Sequence, residues 1–387
     1  MSSPPSTMKG LVLVKTSGDE WKPGPKTWHP VSVEDLPVPT PEQDQVLVKV
    51  LAAGFNHRDV FQRQSLYPGT IFHTPETPSV LGADAVGFVV SPSHPLTGQR
   101  VLAYPAANWI SSPSGPDVPG QQFGILGSVK QTGGRGTYAE FVAVGKDDVV
   151  KCPEHLSKEE AATVPLGSLT AWRATFTKAD VKKDDNILIT GIGGGVAILA
   201  LQFAVAAGAN VWVTSSSQDK IKRAQELGAK GGVNYKDTDW PKQLQALLPS
   251  SRPLLDAVID SAGGPLVTQL IRLLKDGAAV SCYGQTTGKP IELSMAAVLK
   301  NVELKGASAM LSIPARLAPS LSRCSTMGSR DEFFAAVAFI DKHKIHPVVD
   351  SVLEGLEHAE DGFQLLKQGG QFGKVVINIA KDESPKL

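Results

Sequence analysis

The clearest pattern of apolar and polar positions begins at Asn186. Ile187–Ile189 is an unbroken apolar run, typical of a parallel strand that is covered on both faces. Glycines follow at positions 191, 193, 194 and 195, and apolar residues then repeat at helical spacing through Phe203 and Ala204. A strand, a glycine turn and a helix in this order predict a nucleotide-phosphate site, because backbone amides at the start of the helix face the anion. A tight strand–helix turn without a ligand is the other interpretation.

After this turn, apolar runs alternate with amphipathic segments up to about residue 305. Helices are expected to start near Gln218, Trp240, Pro265 and Met295. The predicted strands between and after them are 210–214, 232–235, 255–260, 278–283 and 302–305. With the strand at 186, this alternation predicts an α/β fold with a doubly wound parallel sheet.

The chain before residue 160 has a different pattern of apolar and polar residues, with many short strand patterns and few helical ones. The expected strands are 8–14, 46–51, 81–90, 99–103 and 136–143, which predict a small domain resembling a β-barrel. Pro105–Gly134 is a long loop without apolar periodicity, and Ser157–Glu160 has the pattern of a helix capping box before a helix over 161–176. A final helix over 330–343 and strands near Val348 and Val375 complete the chain.

Composition narrows the class of protein. A chain of 387 residues is long for one core, so two domains are expected. Lys and Arg number 38 and Asp and Glu number 38, so no overall charge favours nucleic acid or a membrane surface. Three scattered cysteines predict no disulfide framework, and neither a leader nor a spanning apolar run is visible. We therefore expect a cytoplasmic protein with a small-molecule substrate.

The second predicted strand ends in serines where an acidic residue usually holds the ribose of NAD. Ser215, Ser216 and Ser217 offer hydroxyl groups, and Lys220 follows closely as a positive charge. A 2′-phosphate needs donors and positive charge, so this pattern favours NADPH. Tyr235, after the third strand, is expected to flank the phosphate or the adenine. The alternative is that the serines only cap the following helix.

Several short motifs resemble the medium-chain dehydrogenase/reductase superfamily. They are Gly-Ser-Leu-Thr-Ala-Trp over 167–172, Gly-Ile-Gly-Gly-Gly-Val-Ala over 191–197 and Gln-Glu-Leu-Gly-Ala-Lys over 225–230. The motifs over 54–59, 67–69 and 81–87 are similar to its quinone oxidoreductase branch. The resemblance implies a GroES-like β-barrel catalytic domain over 1–160 and 328–387, a Rossmann cofactor domain over 161–327, NADPH in the cleft between them, and a homodimer.

The resemblance also implies that the chain works without a metal. Zinc-dependent relatives carry a cysteine at the position of Asn56 and Gly-His-Glu where this chain has Gly82-Ala83-Asp84. The cysteine-rich structural lobe of those relatives has no counterpart in Pro105–Gly134. Zinc requires three or four nitrogen, sulfur or oxygen ligands, and His57, Asp59 and Asp84 form at best a poor set. We therefore expect no metal; stoichiometric zinc in the purified protein would restore the zinc alcohol dehydrogenase interpretation.

The branch assigns roles to individual positions. Asn56 and Tyr67 match residues that line the nicotinamide and substrate pocket, with Phe61 as a stacking aromatic between them. The positions expected to bind the cofactor are Thr170, Gly191, Gly194, Gly195, Val196, Ser215, Ser216, Lys220, Tyr235, Tyr283 and Gly284. The last glycine of the family's phosphate loop is replaced by Ala197.

Without zinc, nothing polarises an alcohol, so we expect hydride transfer from NADPH to a quinone or an α,β-unsaturated carbonyl. Asn56 and Tyr67 would hydrogen-bond the oxygen that gains charge, and Tyr67 or water would return the proton. A tyrosine before Pro-Gly is also a common way to pack a turn. NADPH binding without turnover is a further alternative, since fold and site are separable.

One segment departs from the family pattern. Relatives resembling this chain continue from Leu-Lys-Gly directly into Ser-Thr-Met-Gly-Ser, whereas here Ala307–Cys324 lies between them. The segment has two prolines, two arginines and no acidic residue, with no regular period. It is either a short intron translated in frame or a loop insertion, and transcripts that lack those codons would favour the first.

Overall fold

A computed structural model describes residues 4–17, 22–306 and 327–382. Its residues cluster into two compact units. Unit 1 comprises Met1–Leu166 and Ser329–Leu387, and unit 2 comprises Gly167–Gly328. The unusual segment Ala307–Cys324 lies outside the described residues. Among the residues that are described, no helix is both long and apolar enough to cross a membrane.

Strands dominate the first part of unit 1. They are β1 (Thr7–Leu13), β2 (Val31–Pro37), β3 (Gln45–Gly54), β4 (Val86–Val89), β5 (Arg100–Ala103), β6 (Ala106–Ala107), β7 (Gly124–Ile125), β8 (Phe141–Gly145) and β9 (Val149–Lys151). The helices of this part are α1 (His57–Arg63) and α2 (Lys158–Ala162). The next helix, α3 (Val164–Trp172), begins in unit 1, ends in unit 2 and continues into a π-helical turn at Arg173–Lys178. The predicted capping box is present: Ser157 Oγ accepts from the Glu160 amide at 3.1 Å, and Glu160 Oε2 accepts from the Ser157 amide at 2.9 Å.

Unit 2 contains the predicted parallel sheet. Its strands are β10 (Asn186–Ile189), β11 (Asn210–Ser215), β12 (Gly231–Asn234), β13 (Leu255–Asp260), β14 (Leu274–Cys282) and β15 (Glu303–Gly306). Its helices are α4 (Gly195–Ala206), α5 (Gln218–Glu226), α6 (Trp240–Leu247), α7 (Leu266–Leu270) and α8 (Met295–Leu299). The spatial order β12-β11-β10-β13-β14-β15, with every pair parallel, is the doubly wound order of a dinucleotide-binding sheet.

The chain then returns to unit 1. Its last elements are α9 (Arg330–His343), β16 (Val349–Glu354), α10 (Ala359–Gln368) and β17 (Lys374–Asn378). β17 pairs with β3, and β3 also pairs with β4 and β8, so the C-terminal strand joins the sheet that the N-terminal strands form. The long strand β3 is therefore the centre of unit 1.

Two predicted strands are shorter or displaced. The expected strand over 81–90 is reduced to Val86–Val89, because Gly82 has φ +90° and a Cβ at this position would lie 2.7 Å from the Tyr138 ring. The expected strand over 136–143 becomes Phe141–Gly145, since the Gly136 backbone packs directly against the carbonyl of Val80. Alternating apolar residues suggested extended backbone in both places, but close approach of two backbones bends the chain there.

The core of unit 1 is built around Phe55, which follows β3 and is 1% exposed. Its ring centroid lies 5.0 Å from that of Tyr138 and 5.1 Å from that of Phe363 on α10. Gly362 gives this ring its space, because a Cβ at Gly362 would lie 2.6 Å from Cε2 of Phe55. Since Phe55 immediately precedes Asn56, this packing also fixes the backbone that carries Asn56.

We expect Gly362→Ala to lower the free energy of unfolding by about 1–3 kcal/mol, because overpacking a close-packed core costs more than the gain of about 1 kcal/mol in helix propensity. Chemical denaturation followed by circular dichroism measures this change. Gly370→Ala is the control, since a Cβ at Gly370 has no heavy atom within 4 Å. Equal stability of the two variants would contradict the packing role of Gly362.

Candidate functional site

The glycine turn of unit 2 leaves open space above the start of α4. Gly191 has φ +63°, in the left-handed region that favours glycine, and Gly194 precedes α4 without a side-chain cap. A Cβ built on Gly194 has no heavy atom within 4 Å. The first amides of α4, together with the open space at Gly194, form a cradle that fits a pyrophosphate group.

A buried carboxylate holds the turn in place. Thr190 Oγ1 donates to Asp260 Oδ1 at 2.5 Å, and Asp260 also accepts from the amides of Ala262 and Gly263 at 3.1 and 2.8 Å. Burial raises the pKa of Asp260, although these hydrogen bonds oppose the shift. On the other side of the turn, the Ile192 amide donates to the Thr214 carbonyl at 2.9 Å. The phosphate cradle is thus tied to both neighbouring strands, β11 and β13.

The predicted adenosine residues follow β11. Ser215 is buried and its Oγ accepts from the Ser217 amide at 3.1 Å, whereas Ser216 is exposed. Ser217 caps α5 by accepting from the Lys220 amide at 3.4 Å, so the capping alternative holds for this serine. Lys220 is half-buried in the first turn of α5, and the exposed Tyr235 donates its amide to the Ser215 carbonyl at 3.1 Å.

The predicted nicotinamide residues follow β14. The Tyr283 amide donates to the Asp260 carbonyl at 3.0 Å, and burial raises the pKa of the Tyr283 hydroxyl. Gly284 lies against Ser261, whose carbonyl would be 3.3 Å from a Cβ at that position. Thr170 is different, because it lies on α3 and its Oγ1 contacts Met327 Sδ at 3.7 Å.

The predicted cofactor residues of unit 2 other than Thr170 follow the carboxyl ends of parallel strands. Those ends meet at one edge of the sheet, where ligands bind in open α/β folds. The residues concerned are Gly191, Gly194, Gly195, Val196, Ser215, Ser216, Lys220, Tyr235, Tyr283 and Gly284. The edge therefore combines an open helix start with hydroxyl and ammonium groups, and this arrangement fits a pyridine dinucleotide.

In unit 1, Asn56 immediately precedes α1 and is almost fully buried. Its amide donates to Asp59 Oδ2 at 3.0 Å. Its side-chain Nδ2 donates to Gly54 O at 3.2 Å and to Asp84 Oδ2 at 2.9 Å, and its Oδ1 accepts from Lys374 Nζ at 2.6 Å. Both side-chain N–H groups of Asn56 are therefore already donated within the protein, and its predicted role toward a substrate stays a prediction.

Asp84 and Lys374 form a buried ion pair beside Asn56. Lys374 Nζ lies 2.7 Å from Asp84 Oδ2, and their side chains are 7% and 0% exposed. Asp84 Oδ1 accepts from the Leu166 amide at 2.6 Å in the first turn of α3, where the helix dipole favours a carboxylate. Asp84 thus has a partner for each oxygen, as a buried charge requires.

A second buried network links α1 to Tyr67. Asp59 accepts from Tyr138 Oη at 2.9 Å and pairs with Arg58 Nη1 at 3.3 Å. Arg58 also donates to the carbonyls of Leu126 and Gly127, and its guanidinium lies 4.7 Å from the centroid of the Tyr67 ring. Burial raises the pKa of Asp59, and Arg58 and Tyr138 oppose that shift. The Tyr67 ring therefore packs against the Arg58 guanidinium, whose own position is fixed by these hydrogen bonds.

The side chain of His57 is exposed to solvent at the start of α1. Desolvation by the surrounding protein lowers its pKa, and the positive charge of Lys374 lowers it further. Its ring centroid lies 6.5 Å from that of Phe61, in an edge-to-face arrangement. His57 therefore marks a solvent-facing side of the cluster that contains Lys374.

The residues that stand where zinc-dependent relatives carry a cysteine and Gly-His-Glu do not fit a metal ion here. The oxygens of Asn56 and Asp84 both accept from the Lys374 ammonium, and Ala83 has no ligand atom. A metal cation that used these oxygens would have to displace a buried positive charge. Within the described ranges, no group of three or more His, Cys, Asp and Glu side chains is placed to hold a metal ion.

Sequence reasoning missed Lys374 and Asp260. Asp260 stands at the end of a predicted strand, as the other site residues do, and this position was an available signal. Lys374 lies far along the chain from Asn56, and its neighbours Gly373 and Val375 suggested only a strand. Only the pairing of β17 with β3 brings Lys374 beside Asn56.

Known proteins share this architecture. The family "Alcohol dehydrogenase GroES-like domain" matches residues 42–154, and "Zinc-binding dehydrogenase" matches residues 195–341. "Zinc-type alcohol dehydrogenase-like protein YogA" from Leptosphaeria maculans is 42% identical over 92% of this chain and 96% of its own length. "Quinone oxidoreductase" from Mus musculus is 25% identical over 89% of this chain and 92% of its own.

A solved structure described as an NAD-dependent alcohol dehydrogenase is also similar. It has a TM-score of 0.78 and 30% identity, and the match covers 96% of this chain and all of that one. The family and structural matches confirm the predicted fold class, a GroES-like catalytic domain with a Rossmann cofactor domain. The chain therefore belongs to the medium-chain dehydrogenase/reductase superfamily, and it is an oxidoreductase with the pyridine nucleotide-binding fold of that superfamily.

Proposed function

We propose that this protein uses NADPH to reduce a quinone or an α,β-unsaturated carbonyl compound without a metal ion. The observation that carries the proposal is the Lys374 ammonium, which hydrogen-bonds Asn56, where zinc-dependent relatives carry a cysteine, and Asp84, within the segment that matches their Gly-His-Glu. A bound metal ion helps an alcohol to lose its proton, whereas a conjugated acceptor is already electrophilic. Hydrogen bonds to its oxygen are then sufficient activation.

The residues of unit 2 support the choice of cofactor. The uncapped start of α4 and the open face of Gly194 would hold the pyrophosphate. Ser215, Ser216 and Lys220 would hold a 2′-phosphate, since no carboxylate precedes Asp219 after β11. When bound, the cofactor supplies the hydride, and the protein supplies orientation and electrostatics.

Tyr67 is the residue of unit 1 that we assign to the proton. Its half-buried ring stacks on Arg58, and Arg58 is fixed by Asp59 and two backbone carbonyls. A hydroxyl on a ring held in this way can donate to the oxygen of the acceptor and pass its proton there. Water then restores the proton of Tyr67.

Purified protein should consume NADPH when phenanthrenequinone or methyl vinyl ketone is added, and absorbance of the reduced cofactor measures this. The rate without protein is the blank. NADPH binding without consumption in the presence of these acceptors and of simple aldehydes would favour the alternative of a binding protein. Stoichiometric zinc in active protein, with loss of activity on chelation, would instead favour a zinc alcohol dehydrogenase.

Tyr67→Phe should lower kcat for the acceptor by about a hundredfold, the usual cost of removing one donor from an oxyanion site. The variant keeps the ring over Arg58, so its melting temperature should stay at the wild-type value. Unchanged kcat in this variant would show that Tyr67 only packs the turn before Pro68 and Gly69.

Lys220→Ala should raise KM for NADPH by about tenfold or more and leave KM for NADH nearly unchanged, because a charge-assisted hydrogen bond to the 2′-phosphate is lost. Steady-state kinetics with both cofactors measures the ratio. Lys242→Ala, which removes an exposed lysine on α6, is the matched control. Equal changes for both cofactors would contradict selection at the 2′-position.

A further inference from the structure

The orientation of the Asn56 side chain is fixed by the chemistry of its neighbours. Lys374 can only donate, so the atom 2.6 Å from its Nζ must be the oxygen of the amide. Ionised Asp84 can only accept, so the atom 2.9 Å from its Oδ2 must be the nitrogen. The two N–H groups of this nitrogen are then donated to Asp84 and to Gly54. Asn56 consequently has no N–H group left for a substrate oxygen.

Lys374 has a donor that Asn56 lacks. An ammonium carries three N–H groups. Two are used, by Asp84 Oδ2 at 2.7 Å and Asn56 Oδ1 at 2.6 Å. Across residues 4–17, 22–306 and 327–382, no side chain or carbonyl accepts the third.

The surrounding backbone makes room for this charge. A Cβ at Gly54 would lie 3.1 Å from Lys374 Cε, 2.9 Å from Asp84 Oδ2 and 2.6 Å from the Ala162 carbonyl. Burying an ammonium and a carboxylate removes both from water, and their attraction compensates only if the geometry is good. Here Gly54, the start of α3 and the side-chain amide of Asn56 surround the pair of Lys374 and Asp84. The position of the ammonium is therefore tightly defined.

We propose that Lys374 donates the hydrogen bond to the acceptor oxygen that the sequence pattern ascribes to Asn56, and that Asn56 and Asp84 are the residues that position it. This inference rests on the proposed function. With a hydride from NADPH, which would lose a C–H bond and become NADP⁺, the acceptor gains two electrons and a hydrogen at carbon, its C=O or C=C π bond breaks, and its oxygen becomes an anion. The Lys374 N–H stabilises this anion, while Tyr67 or water supplies the proton that makes the product neutral.

Two substitutions remove the charge of Lys374 without leaving a buried charge unpaired. Lys374→Met removes the ammonium, and Asp84→Asn in the same chain keeps an oxygen for the Leu166 amide. Neutral replacement of both partners of a buried pair is tolerated far better than loss of one. The matched control is Lys9→Met with Asp35→Asn, which removes a surface pair of 2.8 Å whose side chains are more than half exposed.

Steady-state kinetics with NADPH and phenanthrenequinone is the first measurement. The double variant at Lys374 and Asp84 should melt cooperatively and lose about a hundredfold in kcat, with little change in KM for NADPH. The surface double variant should keep the wild-type kcat. Asn56→Ala should lose less kcat than the double variant, because Asn56 acts only through Lys374. A rise in KM for NADPH with unchanged kcat would overturn the proposal and assign Lys374 to cofactor binding.

A second measurement needs no turnover. Para-nitrophenol carries an oxygen whose ionisation is visible by absorbance, and a nearby cation favours the anion. At the pH where the free compound is half ionised, wild-type protein should bind it mainly as the anion, and the double variant should not. Equal ionisation on both proteins would overturn the role of Lys374. If wild-type protein consumes NADPH but both proteins bind para-nitrophenol with equal ionisation, only the inference about Lys374 is refuted. If wild-type protein does not consume NADPH but binds the anion through Lys374, only the proposed reaction is refuted.

Discussion

A buried ammonium is the centre of the polar network around Asn56 in unit 1. Lys374 lies between Asp84 and Asn56, and each of its contacts with them is shorter than 3 Å. Where zinc-dependent relatives carry a cysteine and Gly-His-Glu, this chain has Asn56 and Gly82–Asp84, and the Lys374 ammonium lies between Asn56 and Asp84. The surrounding features follow from this charge: Gly54 must lack a side chain, Asp84 must face the start of α3, and Asn56 must present its oxygen to the lysine.

The candidate site of unit 2 is suited to an anion, because backbone amides face it. Its glycine turn exposes the amides of α4, and Asp260 fixes the turn through Thr190 and two further amides. Asp260 ends β13 beside this turn, where its oxygens accept from Thr190 and from two backbone amides, and burial raises its pKa. The carboxylate therefore organises the backbone around the turn.

The two kinds of site differ in how far sequence could predict them. The phosphate cradle in unit 2 is formed by consecutive residues, because strand, turn and helix follow one another over 186–206. The sequence of this segment is therefore enough to predict the cradle. Ser217 shows the limit of this reasoning, because a serine after a strand can serve a ligand or cap a helix, and here it caps α5. The expected strands over 81–90 and 136–143 were too long, since Gly82 and Gly136 allow a close approach to neighbouring chain that bends the backbone there.

The sequence by itself determined the order of strands and helices, the parallel sheet and the position of the phosphate turn, because apolar periodicity and glycine spacing act over neighbouring residues. It also indicated that His57, Asp59 and Asp84 are a poor ligand set for zinc. Only the tertiary structure decided which group lies beside Asn56 and Asp84. Lys374 is 318 residues from Asn56, and they meet because β17 pairs with β3. Such a contact depends on strand order and register, and no local pattern encodes these.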